Sequence, residues 1–173
     1  MKNNGNGRRA PLFLMLLAAL VAVPALAADH SIGVGLHHWQ TVDDLADDGF
    51  EDLEEEGTSG IVSYQFLPEG IFTLEADLEY FADGFGGSTE EAFSPQVYLL
   101  VGHGLYAGAG VGVIHSDGET SDLFYAARVG FNFSLIPRLG IDINANYRFD
   151  DWSLIEEVDT DTVTLGALLR LRI

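Results

Sequence analysis

The stretch Thr162–Ile173 limits what this chain can fold into more than any other part of it. Read as a β-strand, it puts Val163, Leu165, Ala167, Leu169, Leu171 and Ile173 on one face. Thr164, Gly166, Leu168, Arg170 and Arg172 fall on the other, because side chains alternate with period two. Two arginines on one side of an apolar ribbon need a polar environment there, while the opposite side offers only hydrocarbon. A transmembrane β-barrel, polar inside and lipid-facing outside, meets both demands.

Eight segments carry this alternation: Ser31–Gln40, Ser59–Leu67, Ile71–Phe81, Phe93–Gly102, Leu105–Ile114, Asp122–Ser134, Leu139–Phe149 and Thr162–Ile173. Three connections are tight and built on Gly and Pro: Leu67-Pro68-Glu69-Gly70, Gly102-His103-Gly104 and Leu135-Ile136-Pro137-Arg138. The connections between them are longer: Thr41–Thr58, Ala82–Ala92, His115–Ser121 and Asp150–Asp161. The expected fold is therefore an all-β, eight-stranded antiparallel transmembrane barrel with short periplasmic turns and long extracellular loops.

The third segment sets Phe72, Leu74, Ala76, Leu78 and Tyr80 against Thr73, Glu75, Asp77 and Glu79. The seventh sets Leu139, Ile141, Ile143, Ala145, Tyr147 and Phe149 against Gly140, Asp142, Asn144, Asn146 and Arg148. Glycines on the polar face are expected to make room for large side chains from across a narrow lumen. A soluble barrel turned the other way, apolar face inward, would alternate identically. Aromatic placement argues against it. Phe66, Phe72, Phe131 and Phe133 gather near the periplasmic end of the apolar face, and Tyr80, Phe93, Tyr125, Tyr147 and Phe149 near the other. Two belts around an aliphatic band are what a bilayer selects. Trp39 departs from the pattern, since its parity points inward, and a bulge or an early end to the first strand is expected to resolve it.

Residues 1–27 read as a secretory signal peptide, with a basic start at Lys2, Arg8 and Arg9, an apolar run from Pro11 to Val23, and small residues at Ala25-Leu26-Ala27. The barrel then occupies residues 28–173, exported through the general secretory pathway to the outer membrane of a Gram-negative cell. There is no cysteine, so no disulfide contributes. Beyond the signal no apolar run is long enough for a spanning helix, which leaves the barrel as the only way across a bilayer.

Charge sorts by position. Three of the eight bases lie in the signal, so five arginines and no lysine face 27 acids in the remainder. Such a surface disfavours nucleic acid and anionic lipid and favours divalent cations, which clustered carboxylates suit. On the register above, Glu75, Asp77, Glu79 and Asp142 point inward with Arg128, Arg148, Arg170 and Arg172, giving a neutral lumen charge network. Arg138 falls in a periplasmic turn, where Glu69 of another turn is expected to offset it. Eight strands enclose an interior just wide enough for side chains to fill. The paired charges are thus expected to plug the lumen rather than line a pore. Nearly all other acids fall in or beside the long loops.

Dedicated chemistry is weakly signalled. Asp44, Asp48, Gly49, Asp52 and Glu55 match five positions of a calcium-binding EF-hand loop, but Ala46 stands where an oxygen ligand is needed. A solvated acidic loop, or loose binding of Mg²⁺ or Ca²⁺, fits better. His115 and Ser116 are consecutive and would point to opposite faces, so they form no hydrolytic pair. His37-His38 and His103 make no convincing metal site, and no cofactor motif is present. No catalytic residue and no cofactor are expected.

The run Thr164-Leu165-Gly166-Ala167-Leu168-Leu169-Arg170-Leu171 resembles the terminal-strand signal of bacterial outer-membrane barrels. That signal is a polar residue, a glycine and two spaced hydrophobes, here Thr164, Gly166, Leu169 and Leu171, although Ile173 stands where the family usually has an aromatic residue. Over nearly its whole length after the signal, the chain resembles the small OmpA/OmpX-type barrels, in their barrel part only. The resemblance implies a structural or surface-interaction protein, with outer-membrane lipid, lipopolysaccharide and the barrel assembly machinery as partners. The alternatives are a narrow OmpW-like channel for small solutes and, after it, a lipid A-modifying enzyme.

Overall fold

The computed structural model describes residues 29–41, 56–82, 90–149 and 162–173. Expectations about the signal 1–27, about Asp44, Asp48, Gly49, Asp52 and Glu55, and about the loop 150–161 lie outside the described residues. The strands are β1 (Asp29–Thr41), β2 (Glu56–Leu67), β3 (Phe72–Phe81), β4 (Ala92–Gly102) and β5 (Leu105–Gly112), then β6 (His115–Ser116), β7 (Glu119–Thr120), β8 (Phe124–Ile136), β9 (Leu139–Phe149) and β10 (Thr162–Arg172).

Eight of these close a barrel. Each pairs antiparallel with its neighbour in the order β1, β2, β3, β4, β5, β8, β9, β10, and β10 returns to β1. Closure leaves no exposed edge, so every strand finds hydrogen-bond partners on both sides, which a hydrocarbon environment demands. Side-chain burial runs opposite to that of a soluble domain. On β1 the outward Ile32, Val34 and Leu36 are 42%, 53% and 61% exposed, whereas the inward Ser31, His37 and Trp39 are buried. The other barrel strands repeat this, with Glu75, Asp142, Asn146 and Arg170 inside and Leu78, Ile143, Leu165 and Leu169 outside. The reading of an apolar-cored soluble barrel is thereby excluded.

The eight expected segments match the eight barrel strands, with shifted ends. β1 begins at Asp29, β2 already at Glu56, and β8 runs from Phe124 to Ile136. β8 gains its length through an irregularity between Ser134 and Ile136, which lets Ile136 still pair with Leu139. The expected loop His115–Ser121 is in part a hairpin. β6 pairs β7 around Asp117-Gly118, whose φ angles of 46° and 78° are those of a two-residue hairpin turn. β6 also pairs with Ala92 and Phe93, so the β5 edge resumes after Val113 and Ile114.

Trp39 needs no bulge. It keeps its register partners Gly57 and Thr164 and points into the lumen, where its ring meets Phe81 edge-on at 6.4 Å. Its place there depends on Gly57, whose missing side chain leaves the space that the indole covers. The same device recurs four times. His37 lies over Gly166, Tyr98 over Gly110, Phe124 over Gly112 and Tyr106 over Gly130, each pair being direct cross-strand partners. The glycines therefore accommodate rings from the adjacent strand, not from across the lumen as expected. A ring laid flat on the neighbouring wall takes little of the narrow interior and pins the register of its strand pair.

Candidate functional site in the barrel lumen

The alternation of β3, β8, β9 and β10 sends seven charged side chains into the interior, and they form two layers. In the layer nearer the short turns, Glu75 is central. Its Oε1 accepts from Arg128 Nη1 at 2.8 Å, Arg170 Nη2 at 2.7 Å and Ser63 Oγ at 2.9 Å, and its Oε2 from Gln65 Nε2 at 2.6 Å. Arg170 also donates through Nε to Asp142 Oδ2 at 2.7 Å and through Nη1 to Ser63 Oγ at 3.0 Å. Asp142 Oδ1 in turn accepts from Tyr106 at 2.7 Å and Asn144 at 3.2 Å. Arg128 reaches Asp77 Oδ2 at 2.8 Å, donates through Nε to Asn146, and lies 3.7 Å from the centroid of the Tyr98 ring. One guanidinium thus serves two acids and an amide while its flat face covers an aromatic ring, which a lysine could not do.

The second layer centres on Glu79. It accepts from Arg148 and from Ser59, from Gln96 Nε2 at 2.8 Å, and faces His37 Nδ1 at 3.0 Å. Above it, toward the long connections, Trp39, Phe81 and Ala92 form an apolar cluster on which Ile114 packs. Ile114 also packs on the cluster of Tyr98, Leu100, Tyr106, Phe124 and Ala126. The Arg148 guanidinium carbon sits 5.4 Å from the Phe124 ring centroid and 5.9 Å from that of Phe81, joining the ionic layer to the aromatic one.

Of the eight residues expected in the lumen charge network, seven lie together: Glu75, Asp77, Glu79, Asp142, Arg128, Arg148 and Arg170. Arg172 does not. It has inward parity but sits at the short-turn rim, 58% exposed, with Asp29 3.8 Å away. The strand pairing ends with Ser31 opposite Arg172, so the side chain projects past the last enclosing layer. Arg138 lies in its turn at a φ of 75°, and among the described residues no ion pair joins it to Glu69.

The expected network named only charged residues, although Asn144 and Asn146 already stood on the polar face of their strand. Ser59, Ser63, Gln65, Gln96, Tyr98, Tyr106, Asn144, Asn146 and His37 all share the inward parity of the charges. That parity was the signal that could have found them. The residues of the terminal-strand pattern divide between faces, with Thr164 and Gly166 inward and Leu169 and Leu171 outward, each of the latter 50% exposed.

The arrangement holds groups in place rather than activating them. Ser59 and His37 both engage Glu79 Oε1, so the serine is not relayed through the histidine as a nucleophile would require. His115 Nδ1 contacts Thr120 Oγ1 at 2.9 Å and Ser116 Oγ donates to the Glu91 carbonyl at 3.0 Å, on opposite faces. His38 is exposed, 3.6 Å from Glu56. Among the described residues, no three His, Cys, Asp or Glu side chains are gathered as a metal site needs.

No protein-family model matches the chain, and no curated protein sequence matches it significantly. Solved structures do. Neisserial surface protein A (NspA) superposes with a TM-score of 0.63 at 12% identity, covering 86% of this chain and 100% of NspA. Ail, the attachment invasion locus protein of Yersinia pestis, gives 0.49 at 17% identity over 86% of this chain and 100% of Ail. A designed transmembrane β-barrel gives 0.48 at 9% identity over 84% and 95%. The fold is that of the small eight-stranded outer-membrane barrels of the OmpA/OmpX type.

Proposed function

We propose that this chain is an outer-membrane protein with a structural or surface-interaction role, its lumen plugged and its acidic loops displayed outside the cell. The observation that carries the reading is the interior, where three guanidiniums and four carboxylates interlock with amides and hydroxyls. Breaking a buried pair of this kind costs about 3–5 kcal/mol, so an interior built this way favours being closed over being gated. The fold shared with NspA, a protein named for its place at the surface, supports the same location. The signal-like residues 1–27 and the terminal-strand pattern of Thr164, Gly166, Leu169 and Leu171 fit export and recognition by the barrel assembly machinery.

The contacts of the outer end follow from where the bases are. Arg128, Arg148 and Arg170 are buried, Arg138 and Arg172 stand at the short-turn end, and residues 42–55, 83–89 and 150–161 contain no Lys or Arg. Phosphate-bearing lipopolysaccharide around the outer end therefore meets carboxylates, and divalent cations bridge the two.

Planar-bilayer recording of the refolded protein, together with unfolding of Arg148→Met, tests the reading. The expected result is no steady conductance and a large loss of stability in the variant. Regular single-channel steps that change in Arg148→Met, with stability unaltered, would instead support the narrow channel. For the outer surface, Mg²⁺ is expected to raise the melting temperature in lipopolysaccharide bilayers and EDTA to reverse it. Equal melting with and without Mg²⁺ would remove the cation bridge.

A further inference from the structure

Of the five arginines that follow the signal-like residues, three are locked in the lumen and the other two meet at one place on the short-turn rim. The backbone N–H of Arg172 donates to the carbonyl of Arg138 at 2.8 Å, which continues the β9–β10 ladder one pair beyond Leu171 and Leu139. Both side chains are exposed. Arg138 is in no ion pair among the described residues. Arg172 has Asp29 3.8 Å away, itself exposed, a contact of a kind that contributes little in water.

Arg138 stands where a side chain is a poor choice. It is the second residue of the two-residue turn between Ile136 and Leu139, with Pro137 before it and a φ of 75°. Proline fixes φ near about −65°, so the turn matches type II, whose second position takes Gly or Asn. The other two short turns do hold glycine at positive φ, Gly70 and Gly102. Backbone strain held at an exposed position points to a use for the side chain that it carries. The surroundings of the two arginines are apolar. Leu135, Ile136 and Leu171 are 50%, 59% and 50% exposed on the adjoining strand ends, the first two at the irregularity of β8. Further along β8, Phe131 and Phe133 stack at 5.8 Å in the aromatic belt of this end. Such belts sit at headgroup level, so the guanidiniums fall just beyond it, at the depth of lipid phosphates.

We propose that the Arg138–Arg172 corner binds an anionic phospholipid of the leaflet around the short turns, its phosphate on the guanidiniums and its acyl chains along the leucines. Guanidiniums suit the task because their planar fork matches phosphate oxygens. The acidity of the chain as a whole does not oppose this. Among the described residues only Asp29 and Glu69 carry negative charge at this end, and the other exposed acids stand by the long connections. The inference rests on the barrel spanning a bilayer, as proposed above, and adds a contact at the end opposite the acidic loops.

Urea unfolding of the refolded protein in phosphatidylcholine bilayers, with and without phosphatidylglycerol, tests the corner. Wild type is compared with Arg138→Gly, Arg172→Gln and the double variant, so that any repulsion between lipid and acidic loops cancels. Phosphatidylglycerol is expected to raise the wild-type midpoint relative to the double variant, and high salt to abolish that difference. Each single variant is expected to weaken the dependence on phosphatidylglycerol roughly fivefold. In phosphatidylcholine alone, Arg138→Gly is expected to match or exceed wild type, because glycine relieves the turn. An equal response to phosphatidylglycerol in wild type and double variant overturns the proposal. So does an Arg138→Gly barrel that loses as much stability in phosphatidylcholine as in the mixed bilayer, since the arginine then serves the turn itself. A gain of the same size from inorganic phosphate in phosphatidylcholine alone would place a free anion there and overturn the lipid assignment. Failure to insert in either bilayer would overturn the barrel reading and this one together, whereas insertion without the preference overturns this one alone.

Discussion

Replacing Arg170 by methionine separates the structural importance of the lumen network from the assembly role that the terminal strand suggests. Arg170 makes three hydrogen bonds, to Glu75 at 2.7 Å, Asp142 at 2.7 Å and Ser63 at 3.0 Å. Methionine keeps much of the side-chain volume and removes all three. Glu75 still has Arg128, but Asp142 loses the one cation that pairs with it among the described residues and stays buried with Tyr106 and Asn144. Removing one partner of such a buried pair costs about 3–5 kcal/mol. With a urea dependence on the order of 2 kcal/mol per M, the unfolding midpoint falls by roughly 2 M. Arg170→Lys keeps the charge, but an ammonium cannot span both carboxylates as the fork does, so it is expected to recover only part of the loss. Adding Asp142→Asn to Arg170→Met removes the stranded charge, and the double variant is expected to be more stable than Arg170→Met alone. Refolding from urea into bilayers bypasses the assembly machinery, so a loss measured there belongs to the folded barrel. An Arg170→Met barrel that unfolds within about 0.5 kcal/mol of wild type, the range of ordinary surface substitutions, would refute this cost.

Three further outcomes follow from the same geometry. Gly130→Val places methyl groups where the Tyr106 ring lies, so it should displace the hydroxyl from Asp142 and cost about 1–3 kcal/mol in urea unfolding, with Gly60→Val near neutral because nothing stands within 4 Å of that outward position. In a Trp152→Phe background Trp39 is the sole tryptophan, and its inward placement predicts that brominated lipids leave its fluorescence nearly unquenched. Strong quenching would put it on the outside. Leu36→Arg sets a guanidinium on the lipid face and should cost about 2–4 kcal/mol in bilayers if the position lies near the midplane, a loss that a water-facing site would not show.

The fold was largely legible because one period-two pattern governs both faces of every barrel strand. A polar lumen and an apolar exterior leave a continuous signal, as in β3 and β9, and the turn residues at Gly70, Gly102 and Pro137 mark the register. The charged part of the lumen was legible for the same reason. What parity does not give is height along the barrel axis. Arg170 and Arg172 share a face, yet only Arg170 lies within the enclosing layers, because the stagger between β10 and β1 sets where the wall ends. Pairing across strands was equally hidden. Gly110, Gly112, Gly130 and Gly166 could be seen to leave room, and Gly57 fell in an expected connection, but only the register shows that each serves its immediate neighbour. Asp117-Gly118 is a readable hairpin signal within the expected loop His115–Ser121.

Every prediction above depends on this chain being a barrel inserted in the outer membrane. Gel migration of outer-membrane fractions, with and without boiling, tests that claim most directly. A closed barrel resists detergent until heated, so the unboiled sample is predicted to run faster than the boiled one and to appear in the outer-membrane fraction. A single band at one position under both conditions, recovered from the soluble periplasm, would contradict it.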